Sequence, residues 1–136
     1  MGRKQAREGA MKLLFQMESN GDFDLDSIEI FLENFTYDDM EAEYIRSSIH
    51  SLIENMPVID KYIENHLQGW SLQRIAKVDL AILRIAVYEI LYRKDIPTEV
   101  SINEAIENAK KFSSADSFKY INGVLGEFVR ALDKNE

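Results

Sequence analysis

Apolar residues recur every three or four positions along most of the chain, which is the spacing of one face of an α-helix. The first such stripe predicts a helix over residues 3–19, and the Asn20-Gly21 pair that follows favours a helix end. A short second helix should come next, capped by Asp24 or Asp26. The strict alternation expected of strands is not sustained anywhere, so the pattern indicates a helical protein.

The middle of the chain carries clear start and stop signals. Asp38-x-x-Glu41 is a capping-box pattern and predicts the start of a third helix. Pro57 lacks an N–H and should kink or restart that helix, whose continuation we expect to end near Gly69. Residues 72–92 are apolar on nearly every side, which predicts a central, buried helix.

The last third of the chain predicts two more helices. After a break at Pro97, Ser101-x-x-Glu104 has the capping-box pattern and should open the first of them. A turn over residues 113–116 then precedes a final amphipathic helix. The count is six or seven helices, and we expect an all-α fold in two layers of helical bundle.

Positive charge is concentrated at the start of an acidic chain. The net charge is −8, but residues 1–17 carry four basic side chains against one glutamate. Residues 18–68 carry thirteen acids against two bases, and residues 69–136 carry ten of each. An acidic body repels phosphate, so any nucleic acid should be bound through a focused patch on the first helix.

Composition removes several classes of function. The 136 residues suffice for one domain with its own core, and the absence of cysteine excludes disulfides, thiolate metal sites and a cysteine nucleophile. The two histidines have no metal-ligand spacing, and no nucleophile motif is present, so we predict neither an enzyme nor a cofactor. No apolar run approaches the length of a membrane span and no signal peptide opens the chain, so a cytoplasmic location is expected.

Several segments together resemble the NusB family of bacterial transcription antitermination factors. They are WSLQRI at 70–75, VDLAILRIAVYEIL at 78–91, DIP at 95–97, SINEAIENAK at 101–110 and DSFKYINGVL at 116–125, with the basic leader RKQARE at 3–8. The order and spacing match that family's C-terminal half. The resemblance covers essentially the whole chain, strongly from Trp70 onward and weakly between Asn20 and His66.

The resemblance implies one NusB-like domain with two helical subdomains, about 1–69 and about 70–136. It also implies binding of single-stranded boxA-type RNA from ribosomal RNA transcripts, in partnership with the small-subunit ribosomal protein that acts as NusE, within the RNA polymerase antitermination complex. By motif match, RNA contacts fall on Arg3, Lys4, Arg7, Asp116, Lys119 and Tyr120. Contacts with the protein partner fall on Phe15 and Asp79.

The residues support parts of this set in their own right. Lys4 and Lys12 point away from the apolar stripe of the first helix and Arg7 flanks it, so they could neutralise phosphates or form an ordinary solvated face. Lys111 could join them, although the helix macrodipole alone explains a lysine at a helix C-terminus. Tyr120 offers a stacking platform for an unpaired base.

Other positions leave two interpretations open. Met11 and Phe15 lie off the core stripe, which indicates either a partner surface or a contact with a neighbouring helix. Asp79, in a nearly all-apolar helix, should face a partner or form an internal ion pair. Arg84 is interpreted as structural, bridging to a carboxylate such as Glu89 or Glu104. Gly123 and Gly126 are interpreted as positions of close helix packing.

Two alternatives to an RNA-binding adaptor remain at this stage. One is a domain that serves an RNA methyltransferase, although neither a Rossmann-type segment nor a catalytic cysteine is present in the 136 residues. The other is a structural homodimer that buries its own binding surface, a state the free protein could also adopt. Size-exclusion chromatography with and without RNA separates the adaptor from the homodimer.

Overall fold

The computed structural model describes residues 2–67 and 71–135, and these residues form helices without a strand. Within the described ranges there are seven α-helices: α1 Gly2–Asn20, α2 Asp26–Asn34, α3 Asp39–Glu54, α4 Met56–Glu64, α5 Lys77–Tyr92, α6 Thr98–Phe112 and α7 Ser117–Asn135. A single 3-10 turn, Leu72–Arg74, precedes α5. The predicted all-α class is therefore confirmed. None of the described helices is long and apolar enough to cross a membrane.

Local chemistry explains where α1 ends. Gly21 adopts φ +66°, the left-handed conformation that glycine reaches without steric cost. The N–H of Asp22 donates to the carbonyl of Met17 at 3.0 Å, and that of Gly21 donates to Glu18 at 3.2 Å. This pair of bonds is the Schellman arrangement, which satisfies the last carbonyls of the helix.

The start of α3 and the break after it also follow the sequence pattern. The Asp38 carboxylate accepts from the Glu41 N–H at 2.7 Å, and the Glu41 carboxylate accepts from the Asp38 N–H at 2.9 Å. The predicted capping box is thus present. Pro57 lies in the first turn of α4, where a missing N–H does no harm, so the chain restarts as a new helix there.

Three predicted boundaries are wrong. Helix α4 ends at Glu64, earlier than expected, while Gly69 and Trp70 lie outside the described residues. The predicted helix over residues 72–92 is divided, because Ile75 is extended between the 3-10 turn and α5. Helix α6 begins at Thr98, after Pro97, rather than at a capping box on Ser101.

Helix α5 is the centre of the molecule, as its apolar sequence predicts. Every residue from 79 to 90 is buried, and α1, α4, α6 and α7 all pack against it. Buried side chains from α1 to α7 join in one core, and the division into subdomains near residue 69 stays a prediction. Because α1 and α6 both lie on α5, their outer side chains come close enough to interact.

Candidate nucleic-acid interface

Ion pairs connect α1 and α6 across the surface of the protein. The Lys111 Nζ lies 2.9 Å from a Glu8 carboxylate oxygen, and the Lys4 Nζ lies 3.8 Å from Glu104. Together with Lys12, these four residues define what we call the α1–α6 face. Three of the five are lysines, so the face is cationic in an otherwise acidic protein.

Two lysines of this face share one aromatic ring. The Lys12 and Lys111 ammonium groups stand 5.3 and 5.2 Å from the centroid of the Phe112 ring, within range of a cation–π attraction. Lys110 stands 5.2 Å from the ring of Phe118 in the same corner. Lys12 and Lys111 are exposed, so the fold concentrates positive charge where α6 meets the middle of α1.

Arg3 lies at the open start of α1. Its guanidinium carbon stands 5.0 Å from the ring centroid of Tyr44, and its side chain lines a cavity of about 420 Å³ with Met40 and Pro97. Lys4 beside it is exposed and pairs loosely with Glu104. Both side chains are accessible to a phosphate.

Arg7, predicted as an RNA contact, is instead buried. It is only 5% exposed, and its Nε donates to a Glu89 carboxylate oxygen at 2.8 Å. Burial lowers the pKa of the Arg7 guanidinium, but the hydrogen bond and charge of Glu89 outweigh burial, and that pKa is raised. The structure therefore gives Arg7 a role in the core, because it forms an ion pair with Glu89, which lies 82 residues away in the sequence.

Glu89 is the acceptor at the centre of this buried network. It is fully buried, and besides Arg7 it accepts hydrogen bonds from the hydroxyl of Tyr44 and from that of Ser101 at 2.7 Å. Burial and the charge of Glu89 raise the pKa of Tyr44 well above its ordinary value. One carboxylate thus joins α1, α3, α5 and α6, which explains why Ser101 is inside α6 rather than capping it.

A second polar cluster joins the start of α5 to the turn before α7. Asp79 is 6% exposed, and its carboxylate accepts from the hydroxyls of Ser113 at 2.6 Å and Ser117 at 3.0 Å. No cation pairs with Asp79 within the described residues. Serine hydroxyls hold the carboxylate in place of the internal ion pair, and the alternative that Asp79 faces a partner stays a prediction.

Asp79 lies on the wall of an open cavity of about 430 Å³. Asp116, Tyr120 and Arg74 also line it, so Asp79, assigned to the protein partner, shares this cavity with two residues assigned to RNA, Asp116 and Tyr120. The Tyr120 hydroxyl is buried and has no hydrogen-bond partner among the described residues. Burial, then the charge of Asp79, raises the pKa of Tyr120. Lys119, the neighbour of Tyr120, is exposed and lines a separate cavity that Tyr120 also borders.

The two apolar residues assigned off the core stripe differ in their placement. Phe15 is 39% exposed on α1, one turn beyond Lys12. Met11 is 2% exposed and belongs to the core, so of its two interpretations the contact with a neighbouring helix is the one that holds. Helix α3 and helix α5 both pack against α1. The buried face of α1 is therefore broader than a single apolar stripe would give.

Arg84 is structural, as predicted, but with other partners. It donates to both Asp60 carboxylate oxygens at 2.9 Å and to Glu18 at 2.7 Å, not to Glu89 or Glu104. Glu8 and Glu104 on the α1–α6 face, and Phe112 beneath its lysines, were not predicted from the sequence. Their lysine partners are up to 103 residues away, and no local pattern signals such a contact.

No group of three metal-binding side chains occurs in the parts of the chain that the structure describes.

The model of the NusB family matches residues 4–130. The chain belongs to the NusB family. This is a family of transcription antitermination factors and not of enzymes. The sequence resemblance is thereby confirmed over almost the whole chain.

The relatives agree with this assignment. The chain is 47% identical over 129 residues to the transcription antitermination protein NusB of Alkaliphilus oremlandii, covering 95% of this chain and 94% of that one. Against T. maritima NusB the TM-score is 0.87 at 40% identity, covering 96% and 92% of the two chains. A chain in the crystal structure of the antitermination factors NusB and NusE with dsRNA is similar at a TM-score of 0.81 and 26% identity, covering 95% and 96%.

Proposed function

We propose that this antitermination factor is an RNA-binding adaptor that binds single-stranded boxA-type RNA of ribosomal RNA transcripts. It does so together with the small-subunit ribosomal protein that acts as NusE, and it thereby joins the antitermination complex of RNA polymerase in the bacterial cytoplasm. The observation that carries the proposal is the meeting of Lys12 and Lys111 over Phe112 in an acidic protein. A similar chain, solved in a complex of NusB and NusE with dsRNA, supports the RNA and NusE parts of the proposal.

The proposed RNA path follows the exposed cations. It begins at Arg3 and Lys4, runs along the α1–α6 face to Lys12 and Lys111, and ends at Asp116, Lys119 and Tyr120. Cations on the first part would neutralise phosphates, whereas the ring of Tyr120 would stack on an unpaired base. Arg7 is left out of this path, because its guanidinium is buried and paired with Glu89.

The proposed protein surface lies at Phe15, close to the RNA path. An exposed aromatic side chain next to cations is a common anchor in interfaces. Asp79 would contribute negative charge toward a basic ribosomal protein from the wall of its cavity. A partner bound there could extend the cationic path and add affinity for RNA.

A salt titration with labelled boxA-like RNA tests the RNA part. Each phosphate neutralised should contribute about −0.7 to the slope of log K against log salt for a single strand. We expect Lys12→Gln to flatten the slope by about that amount, and Lys111→Gln to flatten it by less, because Lys111 is also paired with Glu8. Lys61→Gln, on α4, is the matched control and should leave the slope unchanged.

Two results would contradict the proposal: absence of binding by the wild type, or an unchanged slope in both variants. The titration is repeated with the same RNA annealed to its complement. Tighter binding of this duplex than of the single strand would contradict single-strand recognition. A free homodimer that buries the α1–α6 face would elute as a dimer and would not shift on adding RNA.

A further inference from the structure

Two glutamates form ion pairs with lysines that the proposed function requires to bind phosphate. Glu8 pairs with Lys111 at 2.9 Å, and Glu104 lies 3.8 Å from Lys4. The closer pair is asymmetric: the Lys111 side chain is 59% exposed, whereas that of Glu8 is only 14% exposed. The protein thus shields the carboxylate and turns its charge toward an ammonium group that is open to solvent.

We infer that Glu8 competes with RNA phosphate for Lys111 and so sets the affinity and salt dependence of RNA binding. The inference rests on the proposed function. A phosphate that reaches Lys111 must approach the Glu8 carboxylate, which carries charge of the same sign. Binding therefore requires Lys111 to leave Glu8 or to share its hydrogens between two anions.

The contrast with Lys12 supports a specific role for Glu8. Lys12 stands over the same Phe112 ring, yet among the described residues it has no carboxylate within ion-pairing distance. It also lies four positions after Glu8 on α1, where a glutamate commonly pairs with a lysine. Glu8 instead reaches across to α6, so one of the two neighbouring lysines is neutralised and the other is not.

The size of the effect follows from the exposure of the pair. Ion pairs with an exposed member contribute modestly, and their usual range corresponds to a factor of roughly 1.4 to 5 in an equilibrium constant. We therefore expect Glu8→Gln to tighten binding of boxA-like RNA about two- to fivefold, within the range for such a pair. The salt slope should become steeper by less than about 0.7, because Lys111 already contributes in part in the wild type and is fully available to phosphate once Glu8 is neutral.

The test compares Glu8→Gln with Glu43→Gln, which removes the same charge from an exposed pair with Arg46 on α3. Glu43→Gln should change affinity by less than about 1.5-fold, since α3 lies outside the proposed RNA path and exposed charges are screened by salt. Each substitution is also made in a Lys111→Gln background. There the gain from Glu8→Gln should disappear, because Glu8 acts through Lys111.

Equal affinity of Glu8→Gln and Glu43→Gln would overturn the inference, and so would a full gain from Glu8→Gln in the Lys111→Gln background. Those outcomes leave the proposed function standing, because the wild type still binds. Failure of the wild type to bind the RNA would overturn the proposed function and this inference together. Circular dichroism of each variant verifies that the helical fold is retained.

Discussion

The pairing of Arg7 with Glu89 predicts a large loss of stability when one partner is removed. In Glu89→Gln the side chain keeps its shape, but the buried Arg7 guanidinium loses its anion. The other carboxylate near Arg7 is that of Glu104, whose oxygen lies 3.9 Å from the Arg7 Nη1 atom. Breaking a buried ion pair by removing one partner costs about 3–5 kcal/mol, a large part of the roughly 5–15 kcal/mol that stabilises a domain.

Urea unfolding followed by circular dichroism measures this loss. With a slope of about 2 kcal/mol per molar urea, the midpoint should fall by roughly 2 M. Arg46→Gln is the control. Arg46 pairs with Glu29 at 2.6 Å, which is shorter than the 2.8 Å between Arg7 and Glu89, but this pair lies on an exposed surface. We expect no resolved change in its midpoint, since burial and not distance decides the effect.

A double-mutant cycle tests the reasoning more strictly. Arg7→Gln and Glu89→Gln break the same interaction, so the double variant should be more stable than the sum of the single losses implies, by about 2–3 kcal/mol. Losses that add within about 0.5 kcal/mol would refute the idea that the two side chains act as a unit. Arg7→Gln should also leave the salt slope of RNA binding unchanged, provided that it is measured far below the unfolding midpoint.

Four further substitutions have expected outcomes. Gly9→Ala should lower the free energy of unfolding by about 1 kcal/mol in urea titrations, because its Cβ would lie 2.9 Å from Ile45 Cδ1 and 2.5 Å from Tyr37 Oη. Gly123→Ala should raise it by about 0.5–1 kcal/mol, because its Cβ would meet nothing within 4 Å; a loss would contradict this. Phe15→Asp should weaken binding of the ribosomal protein by on the order of 2 kcal/mol in calorimetry, whereas the exposed Ile30→Asp on α2 should not; equal effects would contradict the partner surface. Tyr120→Ala should weaken RNA binding by about 1–3 kcal/mol with little change in salt slope, and a flattened slope would count against stacking.

Features encoded within a few residues were predictable from the sequence. The capping box of Asp38 and Glu41, the restart at Pro57 and the end of α1 at Gly21 each depend on neighbours along the chain. The apolar composition of α5 likewise predicts its central place. Local chemistry is sufficient in these cases because the interacting groups are within one or two helical turns.

Features that depend on distant residues were not predictable. Ser101 has the sequence context of a cap, but the fold places it against Glu89, and Pro97 starts the helix instead. Arg7 flanks the apolar stripe of α1 and is drawn into the core by that same glutamate. Gly123 was interpreted as a packing position, yet it faces open space, so that interpretation is wrong.

The most direct test of the central claim is an equilibrium competition between boxA-like RNA and a scrambled RNA of equal length, with and without the ribosomal partner. Because phosphate contacts carry no sequence information, the α1–α6 face alone should bind both RNAs with similar salt dependence. Base contacts at Tyr120 and the partner should then favour the boxA-like RNA in the full complex. We expect a clear preference for boxA-like RNA that increases on adding the partner. Equal binding of both RNAs by the full complex would contradict the assignment of this protein as a boxA-binding adaptor.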